Sequence, residues 1–318
     1  MSAAAPPITA ADEQPHAPGS ELAWRESHAF DLYDERSGLG GVTRMTVRPN
    51  EGTMEVALSF FLPDGGFIAA RHVKAQTTNT AALEVEGMAF ALEEPLRRWR
   101  VTYDGPAHSL ASARDADQRA AWARSRLERL IVELVLEAPA PPLAGGCGSF
   151  EQICVAHGEV WVSGDRYDVR ALGGRERSWG VDEAATLRSR RSFSARFAED
   201  CGFRAVLALR DGDAVQHGWI LRDGIAPALE GVTVATTTEP GTYLHESVRL
   251  TLTDEQAVRH EVAGEVLHVA PLPETRNGRA SVLCEGVARF VWRGRVGYGF
   301  ASYWHALDAA GALAVPLT

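Results

Sequence analysis

"TMEVALSFFLPDGGFIAARHVKAQ", residues 53–76, decides the fold. From Thr53 to Phe61 apolar and polar residues alternate, as they must on a strand whose successive side chains point to opposite faces. Pro63, Asp64, Gly65 and Gly66 supply turn chemistry, and a second strand-like run opens at Phe67. The stretch therefore predicts a β-hairpin.

The same grammar extends in both directions. "MAFALEEPLRRWRVTYDGPA" (88–107) predicts two strands broken at Pro95, the second closed by a turn at Asp104, Gly105 and Pro106. In "LIVELVLEAPAPP" (130–142), Val132, Leu134 and Leu136 oppose Glu133 and Glu137, the pattern of a half-exposed strand. The second half repeats it in "SFSARF" (192–197), "FRAVLALRDGDAVQHGWILRDG" (203–224), "GVTVATTT" (231–238), "ESVRLTLTDEQAVRHEVAGEVLHV" (246–269) and "GVARFVWRGRVGYGFASYWHAL" (286–307). Only residues 111–128 have helical composition, and they predict a short helix or an excursion at a barrel rim. With about eight strands in each half, the expectation is an all-β protein of two antiparallel barrels or sandwiches. A closed barrel has no free edge and can enclose a ligand.

Bulk properties exclude several function classes. At 318 residues two domains are expected, and 45% apolar with 23% charged residues is ordinary globular composition. A net charge of −10 gives no general attraction to phosphate backbones or anionic lipid, so no nucleic acid partner is expected. No apolar run reaches the ~18 residues of a membrane span, so no stable membrane insertion is expected either. Cys147, Cys154, Cys201 and Cys284 form no CxxC pair, which predicts reduced thiols in the cytoplasm. "MSAAAPPITAADEQPHAPGS" lacks the features of a secretory signal and predicts a disordered tail over 1–20, carrying His16.

Motifs for phosphate cradles, dinucleotide folds, HExxH zinc sites and GxSxG nucleophile elbows are missing, and the ten histidines are dispersed. Lys74 is the sole lysine and sits in polar sequence, which removes most Schiff-base candidates. No metal and no cofactor is expected. What remains is non-covalent acid–base chemistry, or binding alone.

Five segments in order carry a family resemblance. "SHAFDLYDERSGLGGVTRMTVRPNEG" (27–52), "RRWRVTYDGPA" (97–107), "SFEQICVAHGEVWVSGDRYDV" (149–169), "GGRERSWG" (173–180) and "CEGVARFVWRGRVGYGFASYWHALD" (284–308) resemble the signatures of the hydroxyneurosporene synthase or carotenoid hydratase-like group. The likeness covers most of residues 24–308. It implies two lipocalin-like barrels, here 21–172 and 173–318, and a ligand pocket in or between them. It also implies cofactor-free chemistry on unsaturated lipophilic molecules, as in carotenoid hydration or the related fungal Diels-Alderases. Where relatives usually read "RDHSWG" this chain has Arg175, Glu176, Arg177, Ser178, Trp179 and Gly180, and "VDEAA" lacks the Arg-Asp-Trp that commonly follows. A histidine relay is therefore not expected.

Protonating an alkene carbon requires a strong acid, and a carboxyl group in an apolar pocket retains its proton near neutrality. Glu176 is the first candidate donor, with Glu183 second; alternatively Arg175 and Arg177 hold Glu176 ionised in an Arg-Glu-Arg clamp at the domain junction. Glu151 is expected to position water or a polar group, while Gln152, Arg177 and Trp179 border the pocket. On the last strand Tyr298 and Trp304 share one face and Tyr303 and His305 the other, so either pair can line a cavity. Asp34, Arg48 and Asn50 are expected to shape turns and ion pairs. The partner is a hydrophobic small molecule, with terpenoid or polyketide chains as the type; a homodimer is compatible with the sequence. The rival reading is a non-catalytic carrier of lipophiles.

Overall fold

A computed structural model describes residues 7–75, 83–146, 148–182, 186–276 and 279–315. Glu183 and Cys147 lie outside the described residues. The chain divides into two compact units, the first formed by residues 1–60, 69–107 and 127–182, the second by 61–68, 108–126 and 183–318.

The strands of the first sheet are β1 (Trp24–Asp34), β2 (Leu39–Arg48), β3 (Thr53–Phe61), β4 (Phe67–Ala75), β5 (Glu84–Val85), β6 (Met88–Glu94), β7 (Arg98–Leu110), β8 (Arg126–Glu137), β9 (Leu143–Gly146), β10 (Ser149–Val162) and β11 (Asp165–Val181). Their order is β4-β3-β2-β1-β11-β10-β8-β7-β6-β5, and an additional β4–β7 pairing closes eight of them into a barrel, with β9 attached to β10. The expected β3–β4 hairpin is present, and in β8 Val132, Leu134 and Leu136 are buried while Glu133 and Glu137 are exposed.

The second sheet comprises β12 (Leu187–Ala198), β13 (Cys201–Arg210), β14 (Asp213–Leu221), β15 (Leu229–Thr238), β16 (His245–Asp254), β17 (Arg259–Arg276), β18 (Arg279–Trp292) and β19 (Arg295–Ala306). It runs β14-β13-β12-β19-β18-β17-β16-β15. Its two edges meet through a Trp219–Ala228 bridge and through Gln216, whose amide donates to Glu230 O and accepts from Val232 N. A side chain that mimics a peptide thus completes the ring where the backbone ladder stops. Both units are lipocalin-like antiparallel barrels. Among the described residues helix is confined to 3₁₀ turns at Ala10–Glu13 and Ala113–Asp115 and to α1 (Arg119–Arg124); none is long and apolar enough to cross a membrane.

Three sequence expectations are corrected. β7 runs straight through Asp104-Gly105-Pro106 instead of turning there; the Tyr103 hydroxyl donates to Pro106 O at 2.7 Å and ties the segment in its extended course. "GGRERSWG" is not a joint, because β11 continues unbroken across the expected 172/173 boundary, paired on both sides by β1 and β10. Its Gly173 is needed for that fit: a Cβ would stand 2.4 Å from Asp31 O. Finally, the tail is not wholly unstructured, since Ala10–Glu13 forms a turn and the Glu13 side chain is buried.

Candidate functional site

Strand alternation sorts the charged trio of β11 onto two faces. Arg175 and Arg177 point into the first barrel and Glu176 points out. The two arginines are almost fully buried, and a buried guanidinium must be paired. Arg175 holds Glu13 through two nitrogens, Nη1 at 2.8 Å and Nη2 at 2.5 Å, and donates to Gln152 Oε1 at 2.9 Å. Its guanidinium also lies 5.0 Å from the ring centroids of both Trp99 and Phe150. Arg177 pairs with Glu26 and reaches Gln14 O. Gln152 donates to Leu96 O and Ala140 O. Trp179 stacks on His16, with centroids 4.0 Å apart and planes 12° apart.

The acids that satisfy the arginines therefore come from Glu13 and Glu26, and the expected Arg175-Glu176-Arg177 clamp is not formed. Arg177, Gln152 and Trp179, expected to border a substrate pocket, belong to an ionic and aromatic network inside the first barrel. His28 lies in the same interior; burial, then the Arg177 and Arg175 charges, push its pKa well below the usual imidazole value.

On the opposite face, Glu176 stands directly across from Glu151 on β10 and from Ala29 on β1. Side chains directly opposite on antiparallel strands have Cβ atoms about 4.5–5.5 Å apart. Glu176, the expected proton donor, and Glu151, expected to position water or a polar group, are thus neighbours, Glu151 buried and Glu176 half-buried. Arg25, two rungs along, donates to Ser178 Oγ at 3.2 Å and lies 3.6 Å from Asp182. Burial lowers the Arg25 pKa, while the Asp182 and Glu176 carboxylates oppose the shift. Ser27 and Thr46 hydroxyls, 3.3 Å apart, share this face. The result is a polar patch in which the adjacent Glu151 and Glu176 carboxylates and the Ser27, Thr46 and Ser178 hydroxyls share a face with Arg25 and with Arg44, which stands across from Ala29.

In the second barrel β19 resolves the earlier choice of faces. Tyr303 and His305 point inward and are fully buried; Tyr298 and Trp304 lie on the other face, half-buried, with Trp304 Nε1 3.2 Å from Glu274. Tyr303 Oη is 2.7 Å from Thr236 Oγ1, and its ring packs 4.2 Å from that of His245. Sequence reasoning missed His245, although its place at the head of an alternating strand was a usable signal. Among the described residues no group of three or more His, Cys, Asp or Glu side chains could hold a metal.

The profile of one protein family, described as domain of unknown function (DUF7064), matches residues 9–306. The chain belongs to the DUF7064 family. No curated protein matches it. Among solved structures, the DUF7064 fold is similar to an AttH-type protein from Nitrosomonas europaea, with a TM-score of 0.65, 13% identity, and coverage of 89% of this chain and 92% of that one. It is also similar to kievitone hydratase from Nectria haematococca, with a TM-score of 0.58, 11% identity, and coverage of 95% and 93%. A third is CghA, with a TM-score of 0.53, 11% identity, and coverage of 89% and 88%. The fold is the one implied by the carotenoid hydratase-like motifs. In the DUF7064 match the N-terminal segment that carries Glu13 and His16 lies within the domain, in keeping with its buried contacts.

Proposed function

We propose that this protein is a cofactor-independent enzyme of the hydratase or cyclase type that acts on an apolar, unsaturated small molecule through the Glu151–Glu176 pair. The observation that carries the reading is the direct cross-strand register of these two carboxylates. Two carboxylates sharing one site disfavour double ionisation, and the proposed reaction uses the form of the pair that carries one proton. That proton adds to an alkene carbon: the π bond breaks, a C–H bond forms, and the positive charge falls on the more substituted carbon. Water then adds to the cation, a C–O bond forms, and the ionised partner takes the released proton. The pair ends with the one proton it began with, so no cofactor enters the balance. Loss of a neighbouring proton to the ionised partner, instead of water addition, gives isomerisation; capture by a second double bond forms a C–C bond and a new cation, which loses a proton to the same carboxylate to complete ring closure.

The fold shared with kievitone hydratase supports this reaction class. Cys201 and Cys284 are free and buried, which supports the cytoplasm as the compartment. The test uses linear isoprenoid alkenes in D₂O, with mass spectrometry to read deuterium bound to carbon. The wild type is expected to label substrate, whereas Glu176→Gln and Glu151→Gln should lose labelling while still binding the alkene. Wild-type labelling by the double variant would remove the pair from the mechanism; binding without any labelling would favour a carrier.

A further inference from the structure

The interior of the second barrel contains polar groups that its own residues do not satisfy. His305 is fully buried, yet neither ring nitrogen has a hydrogen-bond partner among the described residues. His245 is buried beside it; its Nε2 bonds to Ala301 O at 2.7 Å, and its Nδ1 has none. Arg191, directly across from Tyr303 on β12, places its guanidinium 5.6 Å from the Tyr303 ring centroid and has no ion pair among the described residues. Native interiors rarely leave such groups unmatched, because each loses its hydrogen bonds to water without gaining others. The cluster therefore needs a polar occupant.

Register places these side chains at one end of the barrel. His245 opens β16, Tyr303 and His305 close β19, and Thr236 lies near the end of β15. A cleft of about 580 Å³ lies at that end, lined by Tyr243, Leu244, Asp117, Arg114 and Leu313 among others. Leu244 directly precedes His245. Tyr243 donates to Asp117 Oδ2 at 2.8 Å, and Cys284, which feels the Asp117 charge, sits directly across from Tyr303. The wall of the cleft thus adjoins the buried cluster. Its volume lies within the range of small-molecule sites, about 300–1,000 Å³.

We propose that this end of the second barrel binds an apolar monocarboxylate, its carboxylate held by Arg191 and the imidazole N–H of His305 and its chain lying in the cleft beside His245. The occupant is anionic because Arg191 is an unmatched cation, whereas a neutral alcohol would leave that charge uncompensated. Burial keeps both histidines uncharged, with pKa values lowered to about 4; His305 thus adds a donor without adding charge, whereas the N–H of His245 is taken by Ala301 O. The site is separate from the Glu151–Glu176 pair and does not rest on the proposed reaction.

Calorimetric titration of the full chain with decanoate and with decanol tests it. Saturable decanoate binding is expected, at least about tenfold tighter than decanol and weakened at least about tenfold by Arg191→Gln, a half-buried position. His305→Phe should weaken it as well, and ring ¹⁵N signals of His245 and His305 should shift on decanoate addition to the wild type. No saturable decanoate binding would overturn the proposal. So would equal affinity for decanol, or decanoate affinity unchanged in a folded Arg191→Gln variant.

Discussion

The Glu13–Arg175 pair allows the sharpest test of how the first barrel is held. Glu13 comes from a segment the sequence assigned to a disordered tail, yet its carboxylate has no solvent exposure and binds a guanidinium that is 2% exposed. It also accepts from Leu96 N at 2.8 Å, at the turn between β6 and β7. Replacing Glu13 by Gln leaves Arg175 charged, buried and without its acid. Breaking a buried pair from one side costs about 3–5 kcal/mol, mostly because the remaining charge is stranded. In a unit of this size each kcal/mol lowers the melting midpoint by about 2–4 °C, so a fall on the order of 10 °C is expected. Calorimetry reads the midpoint, and hydrogen exchange of the β11 amides places the loss locally. Adding Arg175→Met to Glu13→Leu should recover most of the stability, since two apolar groups strand no charge. A Glu13→Gln midpoint within about 2 °C of wild type, with unchanged β11 exchange, would refute a buried ion pair at this position.

Two further outcomes follow from the packing. His245 and His305, both lowered to about 4 chiefly by burial, stay neutral in the fold, while an unfolded histidine protonates near pH 6.5. Between about pH 6.5 and 4 the unfolded chain binds protons that the native chain does not, so stability must fall as pH falls, by up to about 1.4 kcal/mol per pH unit for each histidine. His28 acts in the same direction. Urea midpoints across that window should show the slope, and His305→Phe should reduce it by one proton; a flat profile would contradict buried neutral imidazoles. In β10, Gly158 has φ +142° and a Cβ there would stand 1.9 Å from Glu133 O. Gly158→Ala should therefore cost ~3 kcal/mol or more, read from the urea midpoint, and an unchanged midpoint would show that β8 and β10 do not approach so closely.

The architecture was legible because strand alternation and turn residues are local signals. The β3–β4 hairpin, the half-exposed β8 and the strand pairs of the second half all follow from spacing within about ten residues. The Asp104-Gly105-Pro106 error has the same origin: local turn chemistry was read without the neighbouring strands, which keep β7 extended. Glu151 and Glu176 could be nominated from residue type, but their juxtaposition depends on the β10–β11 register, which pairs residues 25 positions apart. The docking of Glu13 on Arg175 was illegible for a stronger reason. An Ala- and Pro-rich segment has no periodicity, and its acid finds a partner 162 residues away. Nothing local encodes a contact at that separation.

The charge pattern of "GGRERSWG" shows why composition alone misassigned its role. In a strand, adjacent residues face opposite ways, so three consecutive charged residues cannot act as one cluster. The arginines inside demand acids from elsewhere and find them in Glu13 and Glu26, which places an ionic network within the first barrel's interior. The glutamate outside stands directly across from a second carboxylate, Glu151. Alternation thus sorts neighbouring residues of one strand into two separate environments. It leaves the second barrel, whose buried histidines lack partners of their own, as the interior suited to take up a ligand.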